Sequence, residues 1–138
     1  MSNDPDQVTS FFEEMGGEVI YKPIRGGAHT SKLTKDDLTP ERLKELAKAP
    51  VQFQEFIPGE DIRVYLVGEH LFPAVIKSKT LDFRNDPGAP IEPIELPDNI
   101  LEDCKKLAKA FNLKFSGIDI RQTPDGEYVF IEGNPSPM

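Results

Sequence analysis

The fold of this chain is indicated most directly by two segments near its C-terminal end, which read GIDIR at residues 117–121 and YVFIEGNPSPM at residues 128–138. Both segments are rich in residues that favour β-strands. The sequence TPDG at residues 123–126 lies between them and is typical of a tight turn. The two segments therefore predict an antiparallel hairpin.

Three polar side chains on this hairpin form a candidate metal site. Because side chains two apart on a strand point to the same face, Asp119, Glu132 and Asn134 are expected to direct oxygen atoms towards one point. A turn aspartate and a loop glutamate would be the ordinary interpretation, but two neighbouring carboxylates repel each other unless a cation compensates them. Oxygen donors suit Mg²⁺, which usually works together with substrate phosphates when few protein carboxylates bind it. The hairpin is therefore predicted to be a metal–nucleotide site.

The composition describes a globular chain of 138 residues that is one domain or a large part of one. The net charge of −8 argues against nucleic acid as the main partner, since affinity for phosphate backbones comes from a basic surface. No apolar run approaches the roughly 20 residues of a membrane helix, and the first residues do not resemble a secretory signal. The single cysteine, Cys104, suits a reducing compartment. We expect a cytoplasmic protein that binds neither nucleic acid nor membranes.

Helical and strand patterns alternate along the chain, with short turns between successive strands. Asp4-Pro5 and Thr39-Pro40 each offer a helix cap followed by proline, and Asp98 caps an amphipathic helix. Residues 24–37 are expected to form a loop and residues 81–97 a long excursion that contains four prolines. Besides the hairpin, strands are predicted at residues 18–23, 51–57, 61–67 and 70–77. This order predicts an α+β fold with a largely antiparallel sheet.

A lysine interrupts the apolar segment VIYKP at residues 19–23. Lys22 is either a strand-end lysine whose ammonium group reaches water or a cation held on a rigid strand to neutralise phosphate oxygens. The loop that follows contains Arg25-Gly26-Gly27 and Thr30-Ser31-Lys32, and its N–H groups and hydroxyls could meet phosphates. The loop lacks the Gly-Lys-Ser/Thr ending of a Walker A motif.

The segment QEFIPGEDIR at residues 54–63 predicts a strand that ends at a Pro-Gly turn. The strand end is expected to leave backbone N–H and C=O groups unpaired. An adenine edge, with one acceptor and one amine donor, could pair with these groups while Phe56 and Ile57 supply apolar contact. Glu60 or Asp61 could then accept hydrogen bonds from ribose hydroxyls. An ordinary hairpin with acidic turn residues is the alternative interpretation.

Taken in order, six segments of the chain resemble the ATP-grasp superfamily. Most similar are ligases of the ribosomal-protein glutamate ligase type and those that install ester or amide crosslinks in ribosomally made peptides. The segments are VIYKP (19–23), QEFI (54–57), GEDIR (59–63), DFRN (82–85), GIDI (117–120) and IEGNPS (131–136). They cover nearly the whole chain, and the ordered set is far more specific than any one of them.

The resemblance implies an ATP-grasp core over residues 1–138, built from two small subdomains with largely antiparallel sheets and flanking helices. Residues 1–57 would carry the lysine strand, residues 58–138 would carry the metal site, and ATP would lie between them. Lys22 would contact the phosphates, Glu55 and the backbone at Phe56 and Ile57 would contact adenine, and Glu60 or Asp61 the ribose. The full nucleotide-binding set implied is Lys22, Gln54, Glu55, Phe56, Ile57, Glu60, Asp61 and Asn85.

The resemblance also implies the residues that would serve the chemistry. Arg63 and Arg84 would act with Asn85 on the phosphates or on an acyl-phosphate intermediate. The metal ligands implied, for one or two Mg²⁺ or Mn²⁺ ions, are Asp119, Glu132 and Asn134. In such ligases the protein positions the reactants and neutralises charge, and it forms no covalent bond of its own.

The activity implied is that of an ATP- and Mg²⁺-dependent ligase that joins a carboxylate to an amine, or forms an ester, through an acyl phosphate. The carboxylate substrate could be a peptide or a protein. One alternative is a nucleotide-binding module or incomplete fragment without turnover, and another is phosphoryl transfer to a hydroxyl. Against the family pattern, Gly133 stands in place of an aliphatic residue. We also expect the family's N-terminal domain to be missing and the chain to be a truncated core.

Overall fold

The computed structural model describes residues 1–24, 30–46, 48–49 and 51–137 of the chain. The chain divides into two compact units, Met1–Phe56 and Ile57–Met138. Both units combine antiparallel strands with helices. The predicted α+β class is therefore confirmed.

The first unit contains a three-stranded antiparallel sheet with helices on one face. Its elements are α1 (Pro5–Glu14), β1 (Val19–Pro23), β2 (Ser31–Lys32), a 3-10 turn (Lys35–Leu38), α2 (Pro40–Leu46) and β3 (Val51–Glu55). The strand order is β2-β1-β3. Helix α1 begins as the sequence predicts, because the Asp4 carboxylate accepts the Asp6 N–H at 3.0 Å and Pro5 needs no partner for its nitrogen. The buried residues of this unit's core are Val8, Phe12, Val19 and Leu33.

The second unit contains a five-stranded antiparallel sheet and one long helix. Its elements are β4 (Glu60–Val67), β5 (His70–Ile76), a 3-10 turn (Phe83–Asn85), β6 (Ile91–Pro93), α3 (Asp98–Ala110), β7 (Phe115–Gln122) and β8 (Tyr128–Asn134). The strand order is β6-β5-β4-β7-β8. Among the described residues, no helix is both long and apolar enough to span a membrane.

The two faces of the second sheet have different chemistry. One face packs against α3 in a core whose buried members are Ile62, Val64, Val75, Leu96, Ile100, Cys104, Ile118 and Ile120. Burial raises the pKa of the Cys104 thiol to about 11, so this cysteine is a core residue. Because successive side chains of a strand alternate between faces, Asp61 and Arg63 of β4 and Asp119 and Arg121 of β7 lie on the opposite face. The sheet thus presents a row of charges away from its core.

Three expectations about the elements are wrong in detail. Residues 24–37 are not all loop, because Ser31–Lys32 pair with β1 and Lys35–Leu38 form a 3-10 turn. The excursion at 81–97 contains β6, which lies at the edge of the sheet, where a strand can accommodate proline. Pro97, and not Asp98, is the cap of α3. These elements are too short, or too close to a boundary, for sequence periodicity to detect.

Candidate functional site

The register of the C-terminal hairpin places the predicted metal ligands on one face. Asp119 lies directly opposite Glu132, and Gly117, two residues earlier on β7, lies opposite Asn134. Opposite residues of an antiparallel pair share a face, so Glu132 and Asn134 lie on the face of Asp119. Glu132 is exposed and Asp119 is partly buried.

A β-bulge makes this arrangement compatible with the core. The pairing shifts between Asp119 and Ile120, so that Asp119 faces Glu132 while Ile120 faces Phe130 and Ile131 is the extra residue. A regular strand would place Phe130 and Glu132 on the same face, because they are two apart. With the bulge, Phe130 packs against the apolar core and Glu132 lies on the charged face.

Asp119 is already engaged by a buried arginine. Arg63 lies opposite Asp119 across β4 and β7, and its Nε and Nη2 donate to the two carboxylate oxygens at 2.7 and 2.8 Å. Arg63 is only 8% exposed, and the hydrogen bond to Asp119 raises the pKa of its guanidinium. The guanidinium carbon also lies 4.9 Å from the centre of the Phe83 ring. Arg63 is therefore held in one position by charge and by packing.

The donor set fits a magnesium ion that completes its coordination with phosphates and water. Asp119 and Glu132 supply two carboxylates. Among the described residues there is no cluster of three or more His, Cys, Asp or Glu side chains that could hold a metal ion by itself. The Asn134 side-chain oxygen accepts the Ser136 N–H at 2.9 Å within the last turn. Two carboxylates and an amide oxygen suit Mg²⁺, which needs few protein ligands.

A second arginine lies in the turn that follows β5. The Arg84 guanidinium donates to the buried Asp82 carboxylate through Nε at 2.8 Å and Nη2 at 2.6 Å, and the Arg84 N–H donates to the same carboxylate at 3.1 Å. The hydrogen bond to Asp82 raises the pKa of Arg84, and the charges of Glu132 and Asp119 raise it further. The turn thus brings Arg84 towards the same carboxylates. Asn85 is exposed in this turn.

The predicted ribose and adenine residues of the second unit meet a further arginine. Asp61 Oδ1 accepts hydrogen bonds from Arg121 Nε at 3.1 Å and Nη2 at 2.6 Å, and the Ile57 carbonyl accepts one from Arg121 Nη1 at 3.0 Å. Burial raises the pKa of the Asp61 carboxyl, and the Arg121 hydrogen bond offsets part of that rise. Glu60, its neighbour, is exposed.

The expectation that the backbone at Phe56 and Ile57 is unpaired is therefore wrong for two of its groups. The Phe56 N–H donates to the Glu18 carbonyl at 2.9 Å, and the Ile57 carbonyl is bonded to Arg121. The pairing of β3 with β1 extends one residue beyond β3, which the Pro-Gly turn in the sequence does not reveal. Because neighbouring residues of a strand direct their polar backbone groups to opposite edges, Glu55 directs its own away from β1.

In the first unit, the predicted phosphate lysine lies on the face away from the core. Lys22 is opposite Gln52, and Gln54 is opposite Ile20, so these side chains share one face of the sheet. Tyr21 and Phe53 lie on the other face and pack against the helical core. Glu55 is exposed at the end of β3. The Arg25-Gly26-Gly27 stretch, which the sequence offers to phosphates, lies outside the described residues.

Sequence reasoning missed Arg121 and Asp82 as partners of the predicted site residues. A signal for the first was present, because the tripeptide Asp-Ile-Arg occurs both at 61–63 and at 119–121. In an antiparallel pair, two such tripeptides place each aspartate opposite an arginine. The partner of Arg84 lies only two residues before it, but the pattern of the proline-rich excursion does not indicate the pair.

The sequence matches the RimK-like ATP-grasp domain family over residues 1–138. Among curated proteins, it is 24% identical over 144 residues to the alpha-aminoadipate–LysW ligase LysX of Sulfolobus acidocaldarius. This match covers 96% of this chain and 52% of that protein. The chain thus spans about half the length of the curated relatives it matches.

Solved structures give the same result for the fold. The ATP-grasp ligase PsnB, complexed with a minimal precursor, Mg and ADP, is 38% identical with a TM-score of 0.85, and the match covers 99% of this chain and 43% of that chain. The macrocyclase MdnC from Microcystis aeruginosa MRC, bound with the precursor peptide MdnA, is 34% identical with a TM-score of 0.85, over 99% of this chain and 46% of that chain.

The fold and the resemblance inferred from the sequence are both confirmed by these similarities. The α+β architecture is that of the ATP-grasp fold. The family match extends over the whole length of the chain. The chain belongs to the RimK-like ATP-grasp domain family.

Proposed function

We propose that this chain serves an ATP- and Mg²⁺-dependent ligase that activates a carboxylate as an acyl phosphate for capture by an amine or hydroxyl. The observation that carries the proposal is the charged row on the second sheet, where Arg63, Asp119 and Glu132 lie side by side across three strands. An arginine held beside two carboxylates provides both a cation for phosphoryl oxygens and ligands for a metal ion.

Each unit contains residues that we propose bind the nucleotide. Lys22, on a strand face with Gln52 and Gln54, would neutralise phosphate oxygens. The main chain at Glu55, whose polar groups point away from β1, and the main chain at Ile57 would meet the adenine edge. Glu60 is exposed and Asp61 is bonded to Arg121, which favours Glu60 as the residue that accepts from the ribose hydroxyls. Phe56, which lies between Glu55 and Ile57 in the sequence, would contact the base.

Asp119 and Glu132 would hold Mg²⁺, with the Asn134 amide as a further oxygen ligand, and Mn²⁺ is proposed as a substitute. When bound, the metal ion neutralises phosphate charge and orients the phosphates. Asp119 would serve two roles, since it also fixes Arg63. The functional division proposed is residues 1–57 for the lysine strand and 58–138 for the metal site.

Arg63 and Arg84, together with Asn85, would stabilise the negative charge that develops on the transferred phosphoryl group. Arg63 is held by two hydrogen bonds to Asp119 and by the Phe83 ring, so no reorganisation is needed when charge develops. The Arg84 side chain is 55% exposed, so it would be accessible to a phosphate. The proposed contribution of the protein is positioning and electrostatic stabilisation.

The substrate class is proposed from the relatives. LysX is named for alpha-aminoadipate and LysW, one PsnB structure holds the precursor peptide PsnA2, and the MdnC structure holds the precursor peptide MdnA. We therefore propose a carboxylate on a peptide or protein as the substrate. The single buried cysteine supports a cytoplasmic location for this reaction.

The proposed activity is tested by trapping the activated carboxylate. The protein is incubated with ATP, Mg²⁺, hydroxylamine and a panel of carboxylates that includes glutamate-containing peptides, and ADP and hydroxamate are measured. ADP and hydroxamate are expected to appear together in a Mg²⁺-dependent manner with at least one carboxylate, because an acyl phosphate reacts with hydroxylamine.

Two outcomes would contradict the ligase proposal. ATP binding without ADP release for any carboxylate would favour a nucleotide-binding module. A phosphorylated product that resists hydroxylamine would indicate transfer to a hydroxyl.

The Arg84→Met variant serves as an internal comparison, since loss of its charge should reduce hydroxamate formation by about a hundredfold.

A further inference from the structure

Arg121 bonds to two separate parts of the second unit. Its Nε and Nη2 donate to Asp61 at 3.1 and 2.6 Å, and its Nη1 donates to the Ile57 carbonyl at 3.0 Å. The Arg121 side chain is 14% exposed, so water competes little for these bonds. One guanidinium therefore fixes the main chain at Ile57 relative to β4.

The next residue of β7 restrains the same segment. Gly59 has a φ of +137°, and a Cβ atom at this position would collide with the Gln122 carbonyl. Hence Gly59 lies against the backbone of Gln122, while Ile57 is bonded to Arg121. The end of β7 thus determines the path of residues 57–59 at two neighbouring points.

We propose that Arg121 is a positioning residue for recognition of the nucleotide base. This inference rests on the proposed function, in which the main chain at Glu55 and Ile57 meets the adenine edge. A hydrogen bond from a backbone group discriminates between bases only if that group is held in place, because a mobile chain can adapt to either edge. Arg121 supplies that restraint without touching the nucleotide.

The geometry needs an arginine at this position. The planar guanidinium presents several N–H groups in fixed directions, so it reaches a carboxylate and a carbonyl at the same time. A lysine at 121 would keep the charge beside Asp61 but offers a single nitrogen for both partners. The Arg121→Lys variant therefore keeps the positive charge beside Asp61 and removes the hydrogen bond to the Ile57 carbonyl.

The test compares ADP and GDP binding by calorimetry, in the presence of Mg²⁺, for the wild-type chain, Arg121→Lys and Arg121→Met. The wild-type chain is expected to prefer ADP. Both variants should lose about tenfold in ADP affinity and less than about twofold in GDP affinity, the size expected for one misplaced hydrogen bond. The matched control is Arg42→Met, which removes an arginine that is 63% exposed and pairs with Asp37.

The ratio of the two affinities is the decisive readout, because partial unfolding lowers both affinities equally. A wild-type preference for ADP that both variants keep would overturn the role of Arg121 and leave the proposed function standing. Equal wild-type affinity for ADP and GDP would also overturn the inference. A wild-type chain that binds neither nucleotide would contradict the proposed function itself.

Discussion

Replacing Asp119 with alanine is expected to lower the free energy of unfolding by about 3–5 kcal/mol, the usual cost of removing one partner of a buried ion pair. Arg63 is 8% exposed and donates two hydrogen bonds to Asp119. Without that carboxylate, the Arg63 guanidinium remains buried and loses its two hydrogen bonds to Asp119. Urea unfolding followed by circular dichroism measures the change.

The matched control is Glu132→Ala, on the strand beside Asp119. Glu132 is exposed, so its removal is expected to cost less than about 1 kcal/mol. Both substitutions remove a proposed Mg²⁺ ligand, but only Asp119→Ala removes the carboxylate that is bonded to Arg63. Equal losses of stability in the two variants would contradict the role given to the Arg63–Asp119 pair.

Replacing Gly59 with alanine is expected to lower the free energy of unfolding by about 3 kcal/mol or more, which corresponds to a fall of about 10 °C in Tm. The added Cβ would overlap the Gln122 carbonyl oxygen and would lie 2.7 Å from its carbon and 3.0 Å from the Thr123 Cα. All three atoms belong to the main chain, so no side-chain rotation relieves the collision. The φ of +137° adds strain for any residue with a side chain.

Two other glycines separate these causes. Gly68 has a φ of +64°, whereas the φ of Gly88 lies outside the left-handed region. A Cβ atom added at either position would meet no atom within 4 Å. Gly68→Ala should cost about 1–2 kcal/mol from backbone strain alone, and Gly88→Ala close to nothing. Thermal unfolding of the three variants would refute the close approach if Gly59→Ala and Gly68→Ala had the same Tm.

The shared face of the three proposed metal ligands could be predicted from sequence, but the reason for it could not. Spacing of two residues correctly groups Glu132 with Asn134, yet the same rule groups Glu132 with Phe130, which packs in the core. The bulge at Ile131 resolves this conflict. A bulge depends on the pairing between two strands, and no local preference of residues 128–134 indicates it.

The ion pairs of the site could not be predicted from the local sequence either, because their partners lie far apart in the chain. Arg63 and Asp119 are 56 positions apart, and Arg121 and Asp61 are 60 positions apart. Each pair forms because β4 and β7 are neighbours in the sheet, which sequence order alone does not specify. Once that pairing is known, the repeated Asp-Ile-Arg tripeptide predicts both contacts.

Asp61 illustrates how the structure refines a functional assignment. From sequence, Glu60 and Asp61 are equivalent acidic candidates for the ribose. In the structure Asp61 lies opposite Arg121 and is bonded to it, whereas Glu60 is exposed, and we therefore propose Glu60 for the ribose. Asp61 is thus bonded to the same arginine that holds the Ile57 carbonyl.

The central claim, that this chain binds ATP through a metal held by the β7–β8 hairpin, is tested most directly by calorimetric titration of ATP with and without Mg²⁺. The wild-type chain is expected to bind ATP about tenfold or more tightly with Mg²⁺. Glu132→Gln, which keeps the size of an exposed side chain, should bind ATP with the same affinity in both conditions. A Mg²⁺ effect that is absent from the wild type, or that survives undiminished in Glu132→Gln, would contradict the account.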